Sequence, residues 1–129
     1  MDTSETYIKM CDCPEIQEQW LPKIGVYYQW WDKRYKEVRQ AIWTKGCASN
    51  RIGFRQKFIW LPRQDQIQKM IGKTELVFCI YQIGSKWGGE IICDRDQIFS
   101  VEASSPEQVW LAFCIWATHK KVWDEDIWK

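Results

Sequence analysis

SSPEQVWLAFCIWATHKK (residues 104–121) is the stretch that decides the fold. Ser104-Ser105-Pro106-Glu107 combines a serine cap, a proline in the first turn and a glutamate three residues after Ser104, which together mark a helix start. Lys120 and Lys121 end the segment with the charge that the C-terminal end of a helix dipole favours. Between them, VWLAFCIWA (residues 109–117) is apolar on every side. Such a helix is buried all round, or buries one face in a partner subunit. The chain is therefore expected to end in a long buried helix, from about residue 105 to 121, followed by an acidic tail carrying Trp123 and Trp128.

Working outward, residues 4–20 predict an N-terminal helix with Ser4 as its cap and Tyr7, Ile8, Cys11, Ile16 and Trp20 on a partial apolar face. Pro14 removes a backbone donor and clashes with the preceding turn, so this helix kinks or divides in two. VYYQWW (residues 26–31) is rich in aromatic strand formers, with a hairpin tip at Asp32-Lys33. Residues 35–44 alternate, with Val38, Gln40 and Ile42 on one face and Arg39, Ala41 and Trp43 on the other. A Gly- and Asn-containing loop (residues 45–53) leads to a third strand over 55–61, in which Phe58 and Trp60 share one side. These three segments predict an antiparallel meander. A short helix over 64–71, stopped by Gly72, follows. Residues 75–83 then read as a buried strand, 84–89 as a loop centred on Trp87, and 90–93 and 97–101 as short strands. The expected architecture is a single α+β domain over residues 1–129. It has a mainly antiparallel sheet, an N-terminal helix and the long C-terminal helix packed on the sheet.

A chain of 129 residues is long enough to bury a core without staples. No apolar run approaches the roughly 18 residues of a membrane span, so no membrane association is expected. MDTSETYIKM (residues 1–10) has neither a basic start nor an apolar centre, which predicts no signal peptide. With no export signal, the six cysteines read as reduced thiols rather than a disulfide framework. Cys79, Cys93 and Cys114, set in apolar runs, read as small core residues. Ten tryptophans and an all-apolar helix exceed what a small domain easily hides, which raises self-association as a homodimer.

Catalytic signatures are weak. His119 has no acid at helical spacing on its N-terminal side, and a thiol nucleophile would need Cys11, Cys13 or Cys47 brought to it by the fold. Cys11-Asp12-Cys13 is too close for the usual zinc spacing. Gly72-Lys73-Thr74 lacks the upstream glycine of a nucleotide loop. Asp94-Arg95-Asp96 reads as a strand-connecting turn, and Asp124-Glu125-Asp126 as solvated tail charge. No catalytic residue, metal ligand set or cofactor is expected.

Charge is more informative. The net +1 conceals a block over residues 33–63 that holds nine basic side chains and one acid, flanked by acidic ends. Tyr35, Trp43, Phe54, Phe58 and Trp60 are interleaved with these cations. Basic and aromatic side chains alternating on a sheet hold phosphates and stack bases; strand alternation alone would instead send the aromatics to a core and the charges to water. On the first reading the partner is anionic: an acidic protein surface, a nucleotide or a nucleic acid. Arg39, Arg55 and Lys57 are the leading contacts because strands would hold them. Arg34 and Arg51 lie beside them, and Trp43 and Phe54 are the stacking candidates.

Three stretches carry a family resemblance. They are Tyr7-Ile8-Lys9-Met10-Cys11 with Glu15-Ile16-Gln17 and Trp20; Trp60-Leu61-Pro62-Arg63-Gln64-Asp65-Gln66 continuing to Met70; and Pro106 to Phe113 with Lys121-Val122-Trp123 and Trp128. They resemble a family of small, mostly uncharacterised proteins of phages and prophages of Gram-positive bacteria, from near residue 7 to near residue 128. Residues 26–58 depart most, being longer and more aromatic. The resemblance implies a phage product acting in the host bacterial cytoplasm and brings no catalytic residues. An accessory phage protein without enzyme motifs acts by binding, which implies a non-enzymatic inhibitor of a bacterial defence system. The alternatives are a nucleotide- or nucleic-acid-binding protein, or a small nuclease or Cys-dependent hydrolase.

Overall fold

The computed structural model describes residues 1–44 and 58–129. The C-terminal helix, named α4 once its predecessors are placed, organises them. The N-terminal helix divides in two, as Pro14 leads one to expect, into α1 (Glu5–Cys11) and α2 (Pro14–Gln17), with Pro14 opening the second. Then come β1 (Tyr27–Asp32), β2 (Glu37–Ile42), β3 (Phe58–Trp60) and α3 (Gln64–Ile71). The chain continues through β4 (Val77–Ile83), β5 (Lys86–Cys93), β6 (Asp96–Ala103), α4 (Pro106–His119) and a small terminal hairpin, β7 (Trp123–Asp124) with β8 (Ile127–Trp128). Every strand pairing among the described residues is antiparallel, and the chain is a single small α+β domain.

The helix start forms one residue later than Ser104 suggests. Ser105 is the cap, and its hydroxyl accepts from the Gln108 N–H at 3.2 Å. Gln108 accepts through its side-chain oxygen from the Ser104 N–H at 3.3 Å, one residue before the cap. At the other end Lys120 takes the left-handed conformation and lies 4.0 Å over the Trp116 ring.

The helix is apolar all round because the fold surrounds it. Leu111, Cys114 and Ile115 enter a large core with Tyr7, Met10, Ile16, Trp20, Tyr28, Trp43, Trp60 and Ile67. Val109 and Phe113 enter a second, smaller core with Ile91, against which Phe78, Phe99 and Val101 pack. Each fully buried large apolar side chain contributes about 1.5–3 kcal/mol relative to exposure. The apolar girth of α4 is thus satisfied within the chain and gives no argument for a partner subunit.

The first sheet has the order β2-β1-β3, which corrects the expected meander: β3 returns to the far side of β1 rather than pairing with β2. Tyr28, Gln29, Trp30 and Asp32 of β1 are all buried, as befits a central strand covered on both faces. The open edge of β3 is met by Gln17, whose amide accepts from the Trp60 N–H at 2.9 Å and donates to the Trp60 carbonyl at 3.0 Å. The second sheet has the order β4-β5-β6. Trp87, expected in a loop, lies in β5, which runs eight residues. The β5–β6 turn is made by Asp94 and Arg95, both at positive φ, the geometry that matches strand twist in a tight hairpin. β4 corrects the expectation of a fully buried strand: it is an edge, and Val77, Tyr81 and Ile83 are exposed. The tail forms β7 and β8, and the Trp128 indole donates to the Met10 carbonyl at 2.9 Å, tying it to α1. Among the described residues no helix is long and apolar enough to cross a membrane.

Candidate functional site

Asp32 ends β1 and begins the turn to β2. Its side chain is 0% exposed, and Oδ1 accepts from the backbone N–H groups of Arg34 at 2.9 Å and Tyr35 at 3.3 Å. An aspartate at the first position of a turn ordinarily bonds two residues ahead in this way. Arg34 Nε lies 3.5 Å from Oδ1 and Arg39 Nε 3.0 Å from Oδ2. Oδ2 faces Arg39 without a hydrogen bond. Burial pushes the Asp32 carboxyl up, but the Arg34 backbone and side chain, the Tyr35 N–H and the Arg34 charge together hold it below its ordinary value.

This buried anion fixes two of the expected contacts. Arg39 stands on the same side of β2 as Ala41 and Trp43, at the margin of the core, and also reaches Glu37 at 2.8 Å. Its guanidinium carbon lies 5.2 Å from the Tyr35 ring centre. That of Arg34 lies 5.4 Å from Tyr35 and 5.1 Å from Phe58. Tyr35 is 64% exposed, so it is an aromatic held outward with a guanidinium from each flank. Lys33 and Lys36 beside it are exposed and have no ion pair among the described residues. The hairpin tip is thus cationic at its rim and aromatic at its centre.

Trp43 corrects the expected stacking surface. It is 1% exposed and meets Trp20 and Tyr28 edge-on at 5.2 and 6.1 Å. Alternation sent this ring to the core. Arg51, Phe54, Arg55 and Lys57, as well as Cys47, lie outside the described residues. Lys45 lies outside them too, and in the described part of the basic block β1 stands between β2 and β3. The block's far end, Trp60 and Arg63, turns to a cavity of about 330 Å³. Trp20, Leu21, Val26, Tyr28, Trp60 and Met70 form the cavity's apolar part; Lys23, Arg63 and Lys69 bring positive charge and Asp65 one negative charge. Arg63 is occupied: it meets Asp65 through two hydrogen bonds at 3.0 and 3.1 Å and donates to the Tyr27 carbonyl. Lys23 and Lys69 are exposed, without an ion pair among the described residues.

Tyr35, Lys33 and Lys36 of the tip belong to the basic-aromatic block but not to the contacts that the sequence ranks first, and Lys23 and Lys69 of the cavity lie outside that block. Asp32-Lys33-Arg34-Tyr35-Lys36 carries a signal for the first group, since an aspartate followed by charged residues between two strands marks a surface turn. Nothing in the sequence brings Lys23 to Lys69, which are joined only by the packing of α3.

Cys11, Cys13 and Cys114 are poorly suited to nucleophilic work. Burial pushes Cys11 well above its usual range and Cys13 and Cys114 up to about 12, so each stays protonated at neutral pH. Of the three expected core cysteines, Cys114 is buried, while Cys79 and Cys93 are half-buried. His119 contacts Thr118, with its Nδ1 2.8 Å from the hydroxyl. Among the described residues no three His, Cys, Asp or Glu side chains gather as metal ligands. Comparison of the chain with protein-family models, with curated proteins and with solved structures finds no match.

Proposed function

We propose that the protein is a non-enzymatic binding protein whose hairpin tip, residues 32–39, engages an acidic surface of another protein. The observation that carries this reading is Tyr35: an exposed aromatic flanked by Arg34 and Arg39 and ringed by Lys33 and Lys36. Tyrosine and arginine are among the residues that most often dominate a protein interface, and an aromatic centre with a charged rim is the arrangement in which they do so. The buried Asp32 holds the tip before any partner arrives, which lowers the ordering cost of binding. The resemblance to phage and prophage proteins supports a bacterial host cell as the setting, and inhibition of a defence system as the role.

The test is affinity capture from phage-infected host lysate on the immobilised protein and on a Lys33→Glu, Tyr35→Ala, Lys36→Glu variant, checked for folding by circular dichroism. These side chains are exposed and leave Asp32 its partners. A partner should be retained on the wild type at about 0.1 M salt and released at about 1 M, where charges are screened beyond about 3 Å. It should be absent from the variant. An identical set of captured proteins on both refutes the reading, and capture of nucleic acid alone transfers the tip to that class of partner.

A further inference from the structure

The cavity between residues 19–28 and α3 has a chemistry that the hairpin tip does not use. Its apolar part is built from rings that the core already holds: Trp20 and Trp60 stack at 5.9 Å and 13°, and Trp20 meets Tyr28 edge-on at 5.7 Å. Its charge is unbalanced. Arg63 and Asp65 neutralise one another through their paired hydrogen bonds, with Lys69 adding a weaker attraction to the same carboxylate, and the lining as a whole, Lys23, Arg63 and Lys69 against Asp65, keeps an excess of two positive charges. The two lysines come from different elements, one from the chain before β1 and one from α3. They are brought to one rim by the fold.

Charge and volume select an occupant. Two ammonium groups match a phosphate monoester, which carries about −1.5 to −2 at neutral pH; a single carboxylate would leave one of them unmatched. The apolar lining has no use for a bare inorganic ion. A volume of about 330 Å³ lies at the small end of ligand pockets, which span about 300–1,000 Å³, and admits one monomeric unit rather than a strand. We propose that this cavity binds a phosphate monoester with a ring or apolar body, of the size of a nucleoside monophosphate. The phosphate sits at Lys23 and Lys69, and the body lies toward Leu21, Val26 and Met70. This site is separate from the hairpin tip and does not rest on it.

Titration calorimetry with AMP as the probe tests this on the full chain. The wild type should bind AMP with a dissociation constant below about 1 mM. A Lys23→Glu, Lys69→Glu variant should lose at least tenfold in affinity; both residues are exposed, so the fold, checked by circular dichroism, should be unaltered. Adenosine and inorganic phosphate, as separate probes, should each bind at least tenfold more weakly than AMP. AMP binding that is absent, or equal in the double variant, overturns the proposal. Adenosine equal to AMP overturns the role of the phosphate, and inorganic phosphate equal to AMP overturns that of the body. The triple variant of the hairpin tip should bind AMP as the wild type does, so loss of one site is distinguishable from loss of the other.

Discussion

The β2-β1-β3 and β4-β5-β6 sheets each join three strands, yet they bury them in opposite ways. In the first, the central strand is enclosed on both faces: Tyr28, Gln29, Trp30 and Asp32 follow one another with little exposure between them. In the second, one face packs on α4 through Phe78, Ile91, Phe99 and Val101, and the other faces solvent with Val77, Tyr81, Ile83 and Glu102. The difference explains where polar chemistry collects. A strand covered on both sides must satisfy any charge it carries inside the protein, and Asp32 does so by recruiting Arg34 and Arg39. The half-solvated sheet has no such demand: where it carries charge beside rings, at Lys86 and Glu102 next to Tyr81 and Trp87, the charges are exposed to water.

The largest test of this comparison is whether the two cores fold together. Trp20→Ala in the first and Phe113→Ala in the second should each lower stability by about 3–5 kcal/mol, as truncation of a fully buried aromatic does. Because α4 belongs to both cores, each variant should unfold in one transition, with tryptophan fluorescence and far-ultraviolet circular dichroism coincident in urea. Two separated transitions would mean that the sheets are independent units. A smaller effect separates the two faces of β5. A Cβ at Gly89 would collide with the Phe113 ring and lie 2.5 Å from a Val109 methyl, so Gly89→Ala should destabilise by about 1–3 kcal/mol through overpacking. A Cβ at Gly88 would lie 2.5 Å from the Tyr81 ring, an exposed side chain that can swing away. Gly88→Ala should therefore stay within about 0.5 kcal/mol of the wild type. Equal losses at the two glycines would contradict the one-faced packing of this sheet.

The two sheets also differ in how legible they are in the sequence. β6 alternates cleanly from Ile98 onward, and α4 announces itself by its cap and its apolar run, because period and capping are local properties of the chain. β1 carries no alternation, and its second neighbour is not the one that chain order suggests: tight hairpins follow from sequence proximity, whereas the pairing of β3 with β1 is a long-range choice. The candidate site is obscured in the same way. A cluster of arginines is visible in composition, but whether each meets solvent or a buried carboxylate depends on which residue the opposite strand presents. Alternation places Trp43 on the correct side of its strand, beside Arg39 and Ala41; that side is the core. The cavity lysines, separated in the chain by all three strands of the first sheet, carry no shared signal.

The smallest predicted effect is one of slope. Asp32 is held below its ordinary carboxylate value in the folded protein, so its contribution to stability is present above the unfolded value of about 3.9 and is lost as the pH falls through the folded one. Asp2, Glu15 and Asp65 are lowered as well, through Ser105, Lys121 and Arg63 respectively, so acid weakens the protein at several points. Asp32→Asn keeps an oxygen that can accept from the Arg34 and Tyr35 N–H groups but removes the charge that titrates. The variant should therefore lose less stability than the wild type between about pH 4 and pH 2, measured by urea denaturation at each pH. Near neutral pH the wild type should be the more stable of the two, because Arg34 and Arg39 face a carboxylate there and only a neutral amide in the variant. Parallel curves for the two proteins would show that the buried carboxylate is not what anchors the tip. The contrast between the enclosed, charge-bearing sheet and the half-solvated one would then rest on packing alone.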